Sequence, residues 1–258
     1  MSAPYSAEKL VEIITDFFKF LATLHLDPAE LEYPPPGGWP NVINNNGGRW
    51  KHKDVIYIMS HIPCFTGPEA TVHYKSKLVD YSTVDIDELK EDMASSAEST
   101  AFESSEGEER SPRYFFYIAL GRESGGCQML VNIKDGEVIE EALAYGDEGP
   151  VDIQDYFEDL KLKYRDMHLI SCRGYITLEP KDVDEREDTI DEDEVLSQTE
   201  NWGTDLDIQY IRQIYREHGW PDKFRRSDAE ATVNCHMERC QERRGETWEH
   251  NDDTTVWD

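Results

Sequence analysis

The residues most able to do chemistry lie close together near the C-terminal end of the chain. Cys235, His236 and Cys240 supply a thiol, an imidazole and a second thiol. On a helix, His236 and Cys240 share a face because they are four positions apart, whereas Cys235 points elsewhere. A structural zinc ion needs about four ligands in tetrahedral geometry, and no second Cys-x-x-Cys or His-x-x-x-His pair completes that set. The pattern therefore indicates ordinary residues of an amphipathic helix, with no metal and no cofactor.

A cysteine nucleophile is the second chemistry that the same residues could support. A reactive thiolate needs a base that faces it across a cleft, and the spacing shows no such base for either cysteine. The glycines Gly121, Gly125 and Gly126 are too close together for a dinucleotide-binding or phosphate-binding loop, so they indicate a hairpin turn. Neither pattern predicts a catalytic site.

Carboxylates are the most abundant chemical group of the chain. Asp152, Asp155, Glu158 and Asp159 could be combined into an acid–base pair, but such a pair needs one desolvated member with a raised pKa. With 55 acidic against 26 basic residues and a formal charge of -29, we expect these four to be exposed charge. A charge of this sign opposes approach to nucleic acid and to anionic membranes and suits a basic protein partner. Solubility alone is the alternative explanation of the acidity.

One basic segment interrupts this acidic pattern. Lys223, Arg225 and Arg226 flank Phe224, and the group could contact a phosphate. Because acidic residues surround it in the sequence, we expect these cations to pair with carboxylates of the chain itself.

Two tryptophans stand beside prolines, which fix the backbone and lower the entropy lost on ordering. Trp39 lies in the sequence YPPPGGWP at 33–40, here called the proline strap, and Trp220 precedes Pro221. If exposed, both are typical hot-spot residues for protein recognition; if buried, they staple the terminal helices onto the sheet. We favour the staple and keep recognition as the alternative. The candidate binding residues are therefore Trp39, Trp220, Phe224, Arg225 and Arg226.

The length of 258 residues suits one large domain or two small ones. Five scattered cysteines, an N-terminus without a basic and apolar leader, and the lack of an apolar run of about 20 residues favour a reduced compartment. We expect a cytoplasmic protein, with the nucleus as the other option.

The hydrophobic pattern predicts helices at both ends of the chain and a sheet between them. The first half contains a helix at 6–26, a short helix at 53–62, a strand at 72–84, a short helix at 85–93 and a mobile Ser/Glu-rich insertion at 94–111. A strand that starts at Val55 is the alternative to the helix at 53–62. The second half contains a meander of strands at 114–120, 127–133 and 138–144, a helix at 152–164, an acidic linker at 181–200 and helices within 205–244, the last opened by a capping box from Ser227 to Glu230. This order predicts a single α+β domain over 1–258 with its core at about 50–180.

The middle of the chain resembles the SUKH superfamily over roughly residues 50–165. The match is carried by Tyr114–Leu120 with its glycine turn, by Met129–Ile133 with the following hairpin 135–138, and by the aromatic-bearing helix Asp152–Leu160. The resemblance implies a curved antiparallel or mixed sheet and a non-enzymatic binding module; bacterial members neutralise toxins and fungal relatives act as scaffolds. The insertion at 94–111 and the C-terminal helices depart from the family pattern, and the flanks 33–40 and 218–226 resemble uncharacterised proteins of filamentous fungi.

These features together favour a non-catalytic, intracellular interaction module whose acidic surface binds a basic protein. Two alternatives stay open at this stage. One is an enzyme whose site is assembled only in three dimensions, and the other is a carrier with an apolar cavity for a small molecule.

Overall fold

The structure is a computed structural model, and it describes residues 3–45, 51–67, 70–73, 75–95, 111–121, 126–142, 146–171, 177–178 and 183–245. Of the Ser/Glu-rich insertion predicted at 94–111, residues 96–110 lie outside the described residues, and residues 94 and 95 end a helix. The backbone groups into two compact units. The sheet unit comprises 1–22, 26–162 and 175–177, and the helical unit comprises 23–25, 163–174 and 178–258. The single domain of the sequence analysis stays a prediction.

Most of the α-helices lie where the sequence predicts them, but the short helices at 40–45 and 192–196 were not predicted. The helices are α1 Ala7–Thr23, α2 Pro40–Asn45, α3 Lys53–His61, α4 Ile86–Ser95, α5 Ile153–Arg165, α6 Glu192–Leu196, α7 Asp205–Glu217 and α8 Arg226–Arg244. The strands are β1 Leu31–Glu32, β2 Cys64–Phe65, β3 Thr71–His73, β4 Ser76–Leu78, β5 Phe115–Gly121, β6 Cys127–Asn132, β7 Glu137–Ala142, β8 Gly146–Asp152, β9 Ile170–Ser171 and β10 Thr177–Leu178.

A six-stranded antiparallel sheet forms the centre of the sheet unit. Its strand order is β3-β4-β5-β6-β7-β8, so every neighbour in space is also a neighbour in sequence. The turn between β6 and β7 has Gly136 at φ 75°, which is the left-handed conformation that glycine adopts without strain. The predicted α+β class and the predicted meander β5-β6-β7 are confirmed.

One strand prediction was wrong, and one strand was missed. The strand predicted at 72–84 is interrupted, because Lys75 has φ 48° and separates β3 from β4, which pair with each other. Strand β8 was missed, because its sequence GDEGPVD contains residues that are rare in strands. Pairing with β7 nevertheless holds it in the sheet, with Val151 opposite Val138.

Helices α1 and α5 are joined through their apolar sides. Phe17 of α1 stacks on Phe157 of α5 with ring centroids 4.6 Å apart, and both rings are buried. Burial of one such ring contributes roughly 1.5–3 kcal/mol. The predicted apolar stripe of α1 is buried at Leu10, Ile14, Phe17, Phe18 and Leu21. The polar sides of both helices are therefore turned to solvent.

The proline strap is held against helix α3. Gly37 and Gly38 have φ values of 98° and 92°, and a Cβ atom on Gly38 would lie 2.9 Å from the carbonyl oxygen of Ser60. The backbone N–H of Trp39 donates to the same oxygen at 2.8 Å. These contacts favour the interpretation of the strap as a structural segment.

In the helical unit, the capping box lies at a different helix from the predicted one. Thr204 and Asp207 form a capping box at the start of α7. Helix α8 begins at Arg226, and its N-cap residue Arg225 makes no side-chain cap hydrogen bond. Ser227 is therefore already inside the first turn, where its hydroxyl cannot act as an N-cap.

A buried ion pair connects α7 with the end of α8. Arg244 binds the carboxylate of Asp207 with two hydrogen bonds, of 2.5 and 3.0 Å, and the two side chains are 2% and 0% exposed. The same carboxylate accepts hydrogen bonds from Gln198 and from the backbone of Gly203 and Thr204. The segment predicted as an acidic linker at 181–200 contains α6 and buries apolar side chains at Ile190, Val195 and Leu196.

Candidate functional site

An acidic surface follows the outer sides of α1 and α5 in the sheet unit. It consists of six exposed carboxylate side chains and is called here the acidic face: Glu8, Glu12 and Asp16 on α1, and Asp155, Glu158 and Asp159 on α5. The helical period of 3.6 residues places these carboxylates opposite the buried stripes of the two helices. Packing of Phe17 on Phe157 then brings the two rows of carboxylates side by side.

One lysine ties the two rows of the acidic face together. Lys161 is 8% exposed, and its ammonium group donates hydrogen bonds to Asp16 on α1 and, at 2.7 Å, to Glu158 on α5. Burial by itself lowers the pKa of Lys161, but the two carboxylates outweigh it, so that its pKa is raised. The lysine stays charged and fixes the spacing between the helices.

The charge of the acidic face is only partly offset by its own cations. Lys9 lies 3.4 Å from Glu12, and Lys161 is the other lysine that lies among these side chains and binds them. Lys9 and Lys161 between them contact three of the six carboxylates, which are Glu12, Asp16 and Glu158. A surface with six exposed carboxylates can attract a cationic group of another molecule.

The N-terminal end of α5 shows why Asp152 differs from its neighbours. Its carboxylate accepts hydrogen bonds from the hydroxyl of Tyr5 at 2.8 and 2.9 Å and from the backbone N–H of Gln154 at 2.9 Å. The hydrogen bond to Asp152 is the largest cause of a raised Tyr5 pKa. Asp152 is thus a helix cap, whereas Asp155, Glu158 and Asp159 are the exposed charge that the sequence predicts.

Both tryptophans of the predicted binding set are buried. Trp39 and Trp220 are each 6% exposed. The indole N–H of Trp39 donates to the carbonyl of Ile62 at 2.8 Å, and that of Trp220 donates to the carbonyls of Tyr164 and Arg165 at 3.0 and 3.1 Å. Buried rings with satisfied N–H groups favour the structural interpretation over a hot-spot role.

The predicted basic binding residues are occupied by contacts within the helical unit. Phe224 packs edge-on against Trp220, with ring centroids 4.8 Å apart. Arg225 lies 3.3 Å from Asp228, and Arg226 lies 3.8 Å from Glu230. These arginines pair with carboxylates of the chain, as the sequence analysis expects.

The cysteine and histidine on α8 gain a third partner that their spacing could not show. The thiol of Cys240 lies 3.3 Å from Nε2 of His236, and Nδ1 of His236 lies 3.1 Å from a carboxylate oxygen of Glu192 on α6. Thiol, imidazole and carboxylate in this order are the parts of a cysteine nucleophile site. Cys240 is fully buried, however, and burial raises its pKa to about 11. A buried neutral thiol is a poor nucleophile and is closed to a substrate.

Sequence reasoning missed half of the acidic face. The α1 carboxylates were visible only as the polar positions of an amphipathic helix, and nothing in the spacing placed that helix beside α5. Glu192 was missed for the same reason, since it is 44 positions from His236.

In the described parts of the chain, no three or more side chains of histidine, cysteine, aspartate or glutamate come together as a metal site would require. Within the same residues, every helix is too short or too polar to cross a bilayer.

Comparison of the chain with protein-family models, with curated proteins and with solved structures gives no match.

Proposed function

We propose that this protein is a non-catalytic, intracellular interaction module that binds a basic protein partner through the acidic face. The acidic face carries the proposal, because it places six exposed carboxylates on two helices that are fixed by packing. The formal charge of -29 supports it by favouring approach of cationic molecules over a wider range. The resemblance of residues 50–165 to the SUKH superfamily supports a binding module, with toxin neutralisation or scaffolding as its forms.

The physical basis is a rigid arrangement of charge. A single exposed ion pair contributes only about 0.2–1 kcal/mol, so no single carboxylate can account for binding. Several carboxylates on a fixed surface act together on a cationic partner, raising its association rate and rejecting anionic competitors. Because the helices are already ordered, little conformational entropy is lost when the partner binds.

The enzyme alternative has one specific candidate, which is the arrangement of Cys240, His236 and Glu192. Full burial of the thiol and its raised pKa argue against substrate attack. The interaction module therefore remains the proposal that the described surface supports best.

Charge reversal on the acidic face tests the proposal. The variant Glu12→Lys with Asp159→Lys reverses two carboxylates of the face, and the control Glu238→Lys with Glu242→Lys reverses two exposed carboxylates of α8. Both variants change the formal charge equally. Basic proteins captured from cell extract by the wild type should be lost from the first variant and kept by the second. Equal capture by all three proteins would contradict a role for the acidic face.

A further inference from the structure

We propose that the contact between α6 and α8 is a proton-sensitive clasp, which loosens when His236 takes up a second proton. The clasp consists of Glu192 on α6 and of His236, Arg239 and Cys240 on α8. The inference goes beyond the proposed function, because it concerns a conformational response of the helical unit and not the acidic face.

The clasp connects two helices through one carboxylate. Glu192 accepts from Nδ1 of His236 at 3.1 Å and also from the guanidinium of Arg239. On the other side of the ring, Nε2 of His236 lies 3.3 Å from the Cys240 thiol. His236 is 2% exposed and Cys240 is fully buried, so water cannot replace these partners while the helices are in contact.

The geometry fits a neutral imidazole. When Nδ1 carries the proton and donates to Glu192, Nε2 keeps a lone pair and can accept the S–H of Cys240. A second proton on Nε2 would remove that acceptor and leave the new N–H only the thiol sulfur of Cys240, which is a weak acceptor. Arg239 already supplies a positive charge to Glu192, which weakens the attraction of this carboxylate for an imidazolium ion.

The groups around the ring come from α6, α7 and α8. Tyr210 of α7 contributes a ring 4.7 Å from the imidazole. The negative charge of Asp207 on α7 favours the charged form of His236, but the ion pair of Asp207 with Arg244 offsets this effect. Burial is the largest effect on His236 and lowers its pKa, against the opposing influence of Glu192.

The sign of the pH effect follows from these contacts. An opened clasp exposes His236 to water, where its pKa returns to about 6.5, while the closed clasp holds the pKa lower. Below pH 6.5 the open form therefore binds more protons than the closed form, and acid favours opening. One linked proton changes the opening equilibrium at most about tenfold per pH unit.

Cysteine labelling measures this opening with an internal control. Cys235 is exposed and Cys240 is buried on the same helix. The full chain is treated with a limiting amount of a dipyridyl disulfide, which reacts with thiols in acid, and singly labelled molecules are mapped by mass spectrometry. The ratio of Cys240 to Cys235 labelling removes the intrinsic pH dependence of the reagent. We expect this ratio to rise several-fold between pH 7.5 and pH 5.

Two variants connect the response to the clasp. His236→Gln keeps a donor for Glu192 but cannot titrate, so its labelling ratio should stay flat over the same pH range. In Arg239→Gln the carboxylate of Glu192 no longer binds an arginine, so it acts more strongly on His236. The pKa of His236 should then rise, and the labelling ratio should depend less on pH. Arg239 is exposed, so this second variant keeps the test open even where His236→Gln fails to fold.

Two results would overturn the proposal. One is a wild-type labelling ratio that does not change between pH 7.5 and pH 5. The other is an NMR titration of the wild-type His236 ring with a midpoint at or above pH 6.5. The pKa of His236 in the closed clasp would then be no lower than that of an imidazole in water.

Discussion

Replacement of Lys51 by methionine should remove a pH-dependent part of the stability of the sheet unit. Lys51 is 6% exposed, and its ammonium nitrogen donates to the carbonyl of Pro112 at 2.7 Å. Burial lowers its pKa from 10.5 to about 7. Methionine has a similar length and carries no proton, so Lys51→Met keeps most of the packing and removes the titration.

The size of the effect follows from proton linkage. Between pH 7 and about pH 10 the unfolded chain holds the proton of Lys51, whereas the folded chain has released it. Stability of the wild type therefore rises with pH across this window, by up to about 1.4 kcal/mol per pH unit. Between pH 7.5 and pH 9.5 the wild type should gain about 2–3 kcal/mol relative to Lys51→Met.

Urea unfolding at pH 7.5, 8.5 and 9.5 tests this prediction. Lys53→Met is the matched control, because Lys53 is an exposed lysine two positions away. The unfolding free energy of the wild type minus that of Lys51→Met should rise with pH, while the wild type minus Lys53→Met should stay constant. Equal pH dependence of all three proteins would refute the reasoning.

Two further substitutions test the packing of the helical unit and of the sheet unit. Asp207→Ala should cost about 3–5 kcal/mol of unfolding free energy, because it leaves Arg244 buried without its carboxylate; a cost below about 1 kcal/mol, as for an exposed pair, would show that the pair is solvated. Gly38→Ala should destabilise the sheet unit by about 1–3 kcal/mol, since alanine is strained at φ 92° and its Cβ would press on the Ser60 carbonyl. The control is Gly149→Ala, where a Cβ meets nothing within 4 Å. Equal thermal unfolding temperatures of the two variants would contradict this prediction.

The elements that sequence reasoning found best are those with strong local periodicity. The apolar positions of α1 recur at helical spacing from Leu10 to Leu21, and the strands β5 to β7 are apolar and separated by glycine turns. In both cases the local pattern and the tertiary packing agree, so the sequence alone was sufficient.

The elements that it missed depend on tertiary contacts. Strand β8 contains Pro150 and two glycines, and it exists because β7 pairs with it. The capping motifs at Thr204 and at Ser227 look alike in sequence, and the turn before each helix decides which one functions. The sequence motif therefore indicated that a capping box is present but not which helix it caps.

The candidate site could be predicted only in part. The exposed carboxylates of α5 were expected, but their neighbours on α1 required the contact of Phe17 with Phe157. The prolines beside Trp39 and Trp220 indicate ordered rings, and the burial of both rings favours a structural role over recognition. Residue types are readable from sequence, whereas a shared surface is a property of packing.

The most direct test of the central claim is capture of partners from native cell extract at rising salt. At about 0.1 M salt the Debye length is about 10 Å, and at 1 M it is about 3 Å. Binding through the acidic face predicts that the captured proteins are basic and are released as salt rises toward 1 M. Partners that stay bound at 1 M salt, or that are acidic, would contradict the claim.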